Sequence, residues 1–389
     1  MSSDEFKDIA PYQDEMFRPK VAELIKEPGF RHAVQYIMPD VDFEAFTDKL
    51  LSIKTSEDFQ KIMMYPILEL LEKKTTAGIT VGGLFNLDET ESYTFITNHR
   101  DIVLDASFLN LTFLRAGRPT TEIAIGDNLL IYDWIDNLVR LNKSFIVRRN
   151  LKLTEALQAA RHLSAYIQFC INSKKASVWI AQREGRAKDS NDVTQESLIK
   201  MFGLSGEGQM RENIESVNLL PVSISYEFDP NDYLKVREFL LKRRDPNFRK
   251  SQHDDLFSME TGLLSYKGRI HYEFGSCISP ALRSLPAEME KGEFIHTACS
   301  LIDSAIHRGY RIYPINYIAY DIVHGSHRYE EMYTEEDVAK VKEYAKRQLA
   351  RIEEPDITAE ECGFMYHTFM TMYANPLINK LKQEQTVKV

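Results

Sequence analysis

Over the first 88 residues apolar positions recur at helical spacing. In Phe43-Glu-Ala-Phe-Thr-Asp-Lys-Leu-Leu and in Phe59-Gln-Lys-Ile-Met-Met-Tyr-Pro-Ile-Leu-Glu-Leu-Leu they fall three and four apart, the period of one helix face. This pattern predicts a helical segment over 1–88. It changes at Tyr93-Thr-Phe-Ile-Thr97, a β-branched and aromatic run that follows a cluster of turn residues and reads as a strand. From about Asp101 to Ala116 the helical stripe returns through Ile102, Ala106, Leu109 and Phe113, with Gly117 as its stop. Strand-like runs at Glu122–Ile125, Ser144–Val147, Ala176–Ile180, Leu219–Tyr226 and Arg269–Phe274 alternate with further helical stretches. One of these helices, with Thr154 as its candidate cap, carries Leu153, Leu157, Ala160, Ser164, Ile167 and Ile171 on one face. The alternation predicts an α/β fold over 89–330, a mixed, largely parallel central sheet flanked by helices. A carboxy-terminal helical segment, 331–389, completes the chain. Its Gly363–Asn379 stretch holds no Asp, Glu, Lys or Arg, and its Met and aromatic residues read as core, with a lipid-touching face as the competing reading.

Composition narrows the function. No window approaches the run of about 18–20 apolar residues that a membrane span needs. The 48 Lys+Arg against 58 Asp+Glu give a net charge of -10, so a broad cationic surface for nucleic acid is not expected and any basic site must be local. Cys170, Cys277, Cys299 and Cys362 are scattered without a CxxC pair, which points to free thiols and away from a zinc site. The start of the chain has no basic and apolar leader, so the expected location is cytoplasmic.

The sharpest candidate chemistry is Asn98-His99-Arg100-Asp101-Ile-Val-Leu-Asp105, between a predicted strand and a predicted helix. A histidine held there can remove a proton near neutral pH, and a carboxylate on its other ring nitrogen fixes the tautomer and favours the imidazolium. Asp101 and Asp105 are both candidates for that partner. His-Arg-Asp also opens the protein-kinase catalytic loop, but the Asn required five residues after the Asp is Ala106 here, and no Asp-Phe-Gly is present. Two basic strand ends follow. Arg148 and Arg149 close Ser144–Val147, and Glu184-Gly185-Arg186-Ala-Lys188 follows Val178-Trp-Ile180. Guanidinium forks suit phosphate oxygens, and ligands of open α/β sheets gather at strand termini. His324 and His327 lack a third ligand for a metal, and Ser107 has no nucleophile elbow around it. The basic run Lys242–Lys250 reads as a solvated loop, with a lipid-headgroup patch as the alternative.

Taken in order, these segments resemble the glycerolipid acyltransferase family, most closely its glycerol-3-phosphate acyltransferase branch. Asn98-His-Arg followed by an aspartate resembles the first motif of the family, and Ile125-Gly-Asp-Asn-Leu with Phe145-Ile-Val-Arg-Arg the second. Ile180 to Lys188 resembles the third, Leu220-Pro-Val-Ser-Ile-Ser-Tyr-Glu227 the fourth, and Gly268-Arg-Ile-His-Tyr-Glu-Phe-Gly275 a late strand. The resemblance implies transfer of a fatty acyl group from acyl-CoA or acyl carrier protein to a hydroxyl of glycerol-3-phosphate or 1-acyl-glycerol-3-phosphate, in phospholipid biosynthesis. It further implies His99 as general base with Asp105, or else Asp101, as its partner. Arg148, Arg149, Glu184, Gly185, Arg186 and Lys188 would form the acceptor site, with no metal or redox cofactor. Reversible contact with the inner face of the membrane is expected, through the Phe364–Leu377 tract or the Leu109–Leu114 face. Two spacings depart from the family. Its four residues between His and Asp become five before Asp105 and one before Asp101, and Gly185 is followed directly by Arg186 where the family has one residue between. Competing readings are an acyltransferase for a non-glycerol acceptor, such as an amino-acid lipid, and a non-catalytic acyl- or lipid-binding module.

Overall fold

Seven short stretches of residues 3–386, the residues that the computed structural model describes, pair into one sheet. They are β1 (Ile79–Gly82), β2 (Thr94–Thr97), β3 (Glu122–Gly126), β4 (Ser144–Val147), β5 (Val178–Ala181), β6 (Leu219–Tyr226) and β7 (Ile270–Phe274). Their spatial order is β1-β7-β6-β2-β5-β3-β4. β6 and β7 run antiparallel, and every other neighbouring pair is parallel. The mixed, largely parallel sheet with helices on both faces is therefore the observed architecture.

The period-two alternation of side chains sorts the strand residues between two cores. Phe95, Trp179 and Leu220 join the helices Tyr65–Thr75 and Leu104–Arg115 on one face. Ile96, Val178, Ile180 and Leu219 join Leu153–Gln168 and Lys291–Gly309 on the other. Strands covered on both sides need apolar residues at successive positions, and β2 and β6 are buried along their whole length. The helix Leu104–Arg115 runs directly beneath the sheet, and each of its residues from Leu104 to Phe113 is buried. At the outer rim of β4, the Ile146 amide donates to the Ile9 carbonyl at 2.9 Å, so the amino-terminal stretch lies along that strand.

Several expectations need correction. Ile79–Gly82, inside the segment read as helical, is an edge strand paired with β7. The helix after β2 starts at Leu104 and not near Asp101, which lies three residues ahead of it and accepts from the Val103 and Leu104 amides. Thr154 lies in the first turn of its helix and not at the cap, a position that Lys152 occupies. Both surfaces proposed for a membrane are interior. Met365, Phe369, Met370, Met372 and Tyr373 pack with the helices Asp232–Arg244 and Pro314–His324 in a third core, Leu377 is buried, and Leu109, Leu111 and Phe113 are buried under the sheet. Within the third core the Asp232 carboxylate accepts from Tyr344 Oη at 2.7 Å and Tyr373 Oη at 2.9 Å. Burial outweighs these bonds and pushes the Asp232 carboxyl up to about 7.

The basic run Lys242–Lys250 is largely paired within the protein. Lys242 meets Glu238 at 2.8 Å, Arg244 meets Glu361 at 2.7 Å, Lys250 meets Asp255 at 2.8 Å, and Arg243 meets Glu360. The Ser107 hydroxyl donates to the Val103 carbonyl at 2.8 Å within its helix. His324 Nδ1 meets the Tyr320 carbonyl at 2.9 Å. Among the described residues no helix is long and apolar enough to cross a membrane.

Candidate active site

Four neighbouring parallel strands, β2, β5, β3 and β4, end on the same side of the sheet, and the candidate residues sit just beyond those ends. After β2, Asn98 turns its amide onto β6. Its Nδ2 donates to the Ile224 carbonyl at 2.9 Å and its Oδ1 accepts from the Ile224 amide at 2.8 Å. This double bond to a neighbouring backbone pins the strand end and fixes the point from which His99 leaves the sheet.

The next three residues divide between cleft and interior. His99 faces the cleft with its Nδ1 2.8 Å from Asp105 Oδ2 and its ring edge-on to Trp179 at 5.8 Å. Arg100 turns inward and grips Asp192 with both terminal nitrogens, at 3.2 and 2.6 Å. Asp101 turns inward as well, its Oδ1 capping the helix by accepting from the Val103 and Leu104 amides at 2.9 and 2.7 Å. Burial first, and then the neighbouring Asp105 carboxylate, raises the Asp101 carboxyl above its ordinary range. Asp101 thus closes the helix start and Asp105 meets the imidazole.

Asp105 lies fully buried in the first turn, where the helix dipole favours negative charge. Its Oδ2 also accepts from the Arg100 amide at 2.6 Å and the Asp101 amide at 3.1 Å. These two bonds close the loop into a turn that takes up the five intervening residues. Tyr226 and Tyr272 lie beside this carboxylate, and their phenols are pushed well above the usual range by burial and the nearby negative charge. With Nδ1 held by Asp105, the free ring nitrogen of His99 is Nε2, which no described residue bonds. An imidazole in this tautomer is a base with an oriented lone pair.

His99 opens onto a cleft of about 500 Å³. Its lining includes Arg148, Arg149, Arg183 and Glu184. The rest is mainly apolar, with Ile125, Ile180, Leu163 and Met201 among its walls and Ala156, Ala159 and Ala160 along the overlying helix Leu153–Gln168. Three alanines on one helix face leave space that larger side chains would fill.

The expected acceptor residues part company here. Arg149 enters the cleft because position 126 is glycine, where a Cβ would lie 2.6 Å from Arg149 Nε. Its amide is held by Asp127 Oδ1 at 3.1 Å, so Gly126-Asp127 sets its place. Arg148 reaches the mouth and stands 3.6 Å from Asp8. Glu184 is exposed, 3.7 Å from Arg149 Nη1. Gly185 lines the cleft with φ +67°, a left-handed conformation that a side chain would strain. Arg186 and Lys188 do not line it. Arg186 is buried, and with the Asn231 amide oxygen turned toward it, its Nη1 donates to that oxygen at 3.0 Å. Lys188 pairs with Glu238 at 2.9 Å, and burial followed by repulsion from Arg186 brings its amine down to about 7. The sequence reading named Asn98 within its first motif without a role, and missed Arg183 and Asp192. Arg183 stood unremarked within the third motif, whereas Asn98 and Asp192 act through partners far away in the chain.

No family model matches the chain, and no curated protein matches it. Among solved structures it is similar to the 1-acyl-sn-glycerophosphate (LPA) acyltransferase PlsC from Thermotoga maritima. The identity is 12%, with 74% of this chain and 95% of that chain covered and a TM-score of 0.36.

Proposed function

We propose that the protein is an acyltransferase that moves a fatty acyl group from a coenzyme A or acyl-carrier-protein thioester to a hydroxyl of glycerol-3-phosphate or its 1-acyl derivative. The observation that carries this reading is the buried Asp105 holding His99 Nδ1 at 2.8 Å, with His99 facing a cleft lined by Arg148, Arg149 and Arg183 and by many apolar side chains. In the proposed reaction His99 Nε2 takes the proton of the acceptor hydroxyl as its oxygen attacks the thioester carbonyl. Asp105 stabilises the imidazolium so formed. The tetrahedral intermediate then collapses with cleavage of the C–S bond, and the departing sulfur takes the proton from the imidazolium. Atoms and charge balance with no covalent enzyme intermediate and no metal or redox group. The arginines of the cleft would orient an anionic acceptor, a contribution of several kcal/mol to such a transfer.

Purified protein given palmitoyl-CoA and glycerol-3-phosphate should release free thiol and form an acylated product. Absence of both, with 1-acyl-glycerol-3-phosphate and with a carrier-protein donor as well, would end the proposal. The alanines make the apolar part adjustable. Ala160→Phe should cut turnover of palmitoyl thioester by about tenfold or more and spare octanoyl thioester, since lost chain contacts are worth about 1–3 kcal/mol. Equal losses for both donors would place the acyl chain elsewhere.

Contact with an anionic membrane surface at the cytoplasmic face is part of the proposal, since the products partition into lipid. Leu153 is 89% exposed and Leu157 48% exposed, one turn apart on the helix that overlies the cleft. Lys152, which directly precedes Leu153, is exposed, as is Arg148 at the end of β4. Phosphatidylglycerol vesicles should co-sediment the protein, and Leu153→Asp with Leu157→Asp should abolish this while activity on glycerol-3-phosphate persists. Unchanged sedimentation of the double variant would exclude this face.

A further inference from the structure

We infer that Arg183, acting with Arg149, grips the phosphate of the acceptor, and that Arg186 is a structural clamp. This rests on the acyl-transfer reading for the identity of the acceptor, but its geometry stands apart from that reading.

Arg186 has its partner within the protein. With the Asn231 amide turned so that its oxygen faces the guanidinium, Arg186 Nη1 donates to that oxygen at 3.0 Å and the Asn231 nitrogen donates to the Ser258 carbonyl at 3.0 Å. Asn231 precedes the helix Asp232–Arg244, and Ser258 lies on the helix Gln252–Leu264. Arg186 therefore ties the loop after β5 to two helices on the far side of His99. Its neighbours include Asp101, whose negative charge it helps to offset, and the amines of Lys188 and Lys235. With only 7% of its surface exposed and no face on the cleft, it is not placed to meet a ligand beside His99.

Arg183 is the opposite case. β5 ends at Ala181, Gln182 turns wholly inside, and Arg183, next in the alternation, lines the cleft with His99 and Arg149. No described residue bonds its guanidinium, and its Nε is shut from solvent without an acceptor. A buried cationic N–H without a partner is costly, and an anion entering the cleft would supply the missing acceptor. The cleft lining holds three arginines, Arg148, Arg149 and Arg183, against one carboxylate, Glu184. That local excess of positive charge stands in a chain of net charge -10. A phosphate monoester, with oxygens for two planar forks at once, fits this pair better than a neutral hydroxyl compound does.

Acceptor phosphate and the phosphates of coenzyme A share this chemistry, so the test separates them. Calorimetric titration of the protein with glycerol-3-phosphate, without donor, should show binding that Arg183→Ala weakens by roughly ten- to a hundredfold and Arg183→Lys weakens less. Arg186→Ala should lower the melting temperature and leave this affinity near that of the parent. In turnover, Arg183→Ala should raise KM for glycerol-3-phosphate and leave KM for palmitoyl-CoA unchanged. The inference is overturned if the parent does not bind glycerol-3-phosphate, if Arg183→Ala binds it as well as the parent does, or if only the palmitoyl-CoA KM rises. Binding with the expected Arg183 dependence but without thiol release would uphold the grip and refute acyl transfer.

Discussion

His99→Ala is expected to reduce kcat by about a thousandfold, within the usual range for loss of a general base, while the melting temperature changes little. The ring is partly exposed to the cleft and its one polar partner among the described residues is Asp105, so its removal leaves a small void beside Trp179 and no broken network beyond that bond. Asp105→Asn should cost less. In many His-carboxylate pairs an amide can flip and present its nitrogen to the ring, which forces the wrong tautomer. Here the Arg100 and Asp101 amides both donate to Oδ2, so the amide oxygen must stay where Oδ2 is, and it can still accept from the Nδ1–H. The nitrogen would take the place of Oδ1, which has no hydrogen-bond partner among the described residues. Tautomer and ring orientation survive, and only the charge that favours the imidazolium is lost, giving a decrease of about a hundredfold. Thiol-release rates of the two variants at saturating substrates check both figures. A His99→Ala protein that keeps more than a tenth of parental kcat would remove His99 from the mechanism.

The second large effect is on stability. Asp192→Ala should destabilise the protein by about 3–5 kcal/mol, because it strands a buried guanidinium. The Asp192 carboxylate receives both terminal nitrogens of Arg100 and the Tyr310 hydroxyl, and its backbone carbonyl meets His307 Nε2 at 2.7 Å. Arg100 is 5% exposed and has no route to water that would offset the loss. Replacing both partners by apolar residues, as in Arg100→Met with Asp192→Leu, should recover much of the deficit, since the cost lies in the unpaired charge more than in the pair itself. Urea titrations of the single and double variants measure this. A single-variant loss below about 1 kcal/mol would mean that Arg100 finds another acceptor. Since Arg100 adjoins His99, the single variant should also lose activity before it unfolds.

How far the sequence was legible follows from the range of the interactions. β2 could be recognised from its β-branched and aromatic run, and β5 and β6 from the mostly apolar residues that strands covered on both faces require. His99 with the two aspartates stood out because the motif is local, and the helix start that separates the capping role of Asp101 from the position of Asp105 lies within six residues. β1 escaped notice because Ile79–Gly82 is four residues long and only partly covered, so it shows neither a continuous apolar run nor a clear alternation. The direction of Arg186 could not be read because its acceptor, Asn231, lies 45 positions away, on an element whose packing the local pattern does not encode. Asp192 was unremarkable for the same reason, its partners being Arg100, His307 and Tyr310. The Phe364–Leu377 tract shows how ambiguous composition is when a segment lacks charge. The same residues suit a bilayer or a protein interior, and only the positions of the helices Asp232–Arg244 and Pro314–His324 decide for the interior.

The Ile9 carbonyl on the Ile146 amide gives the first stretch of the chain a duty unrelated to chemistry. A terminal strand with vacant amides is a template on which other molecules can dock their own backbone, the first step toward fibrous or swapped assemblies. At β4 that vacancy is taken by the chain itself, and at the other rim β1 offers only four residues to a would-be recruit. Protection of this rim against edge-to-edge pairing is thereby assigned to the amino-terminal stretch around Ile9.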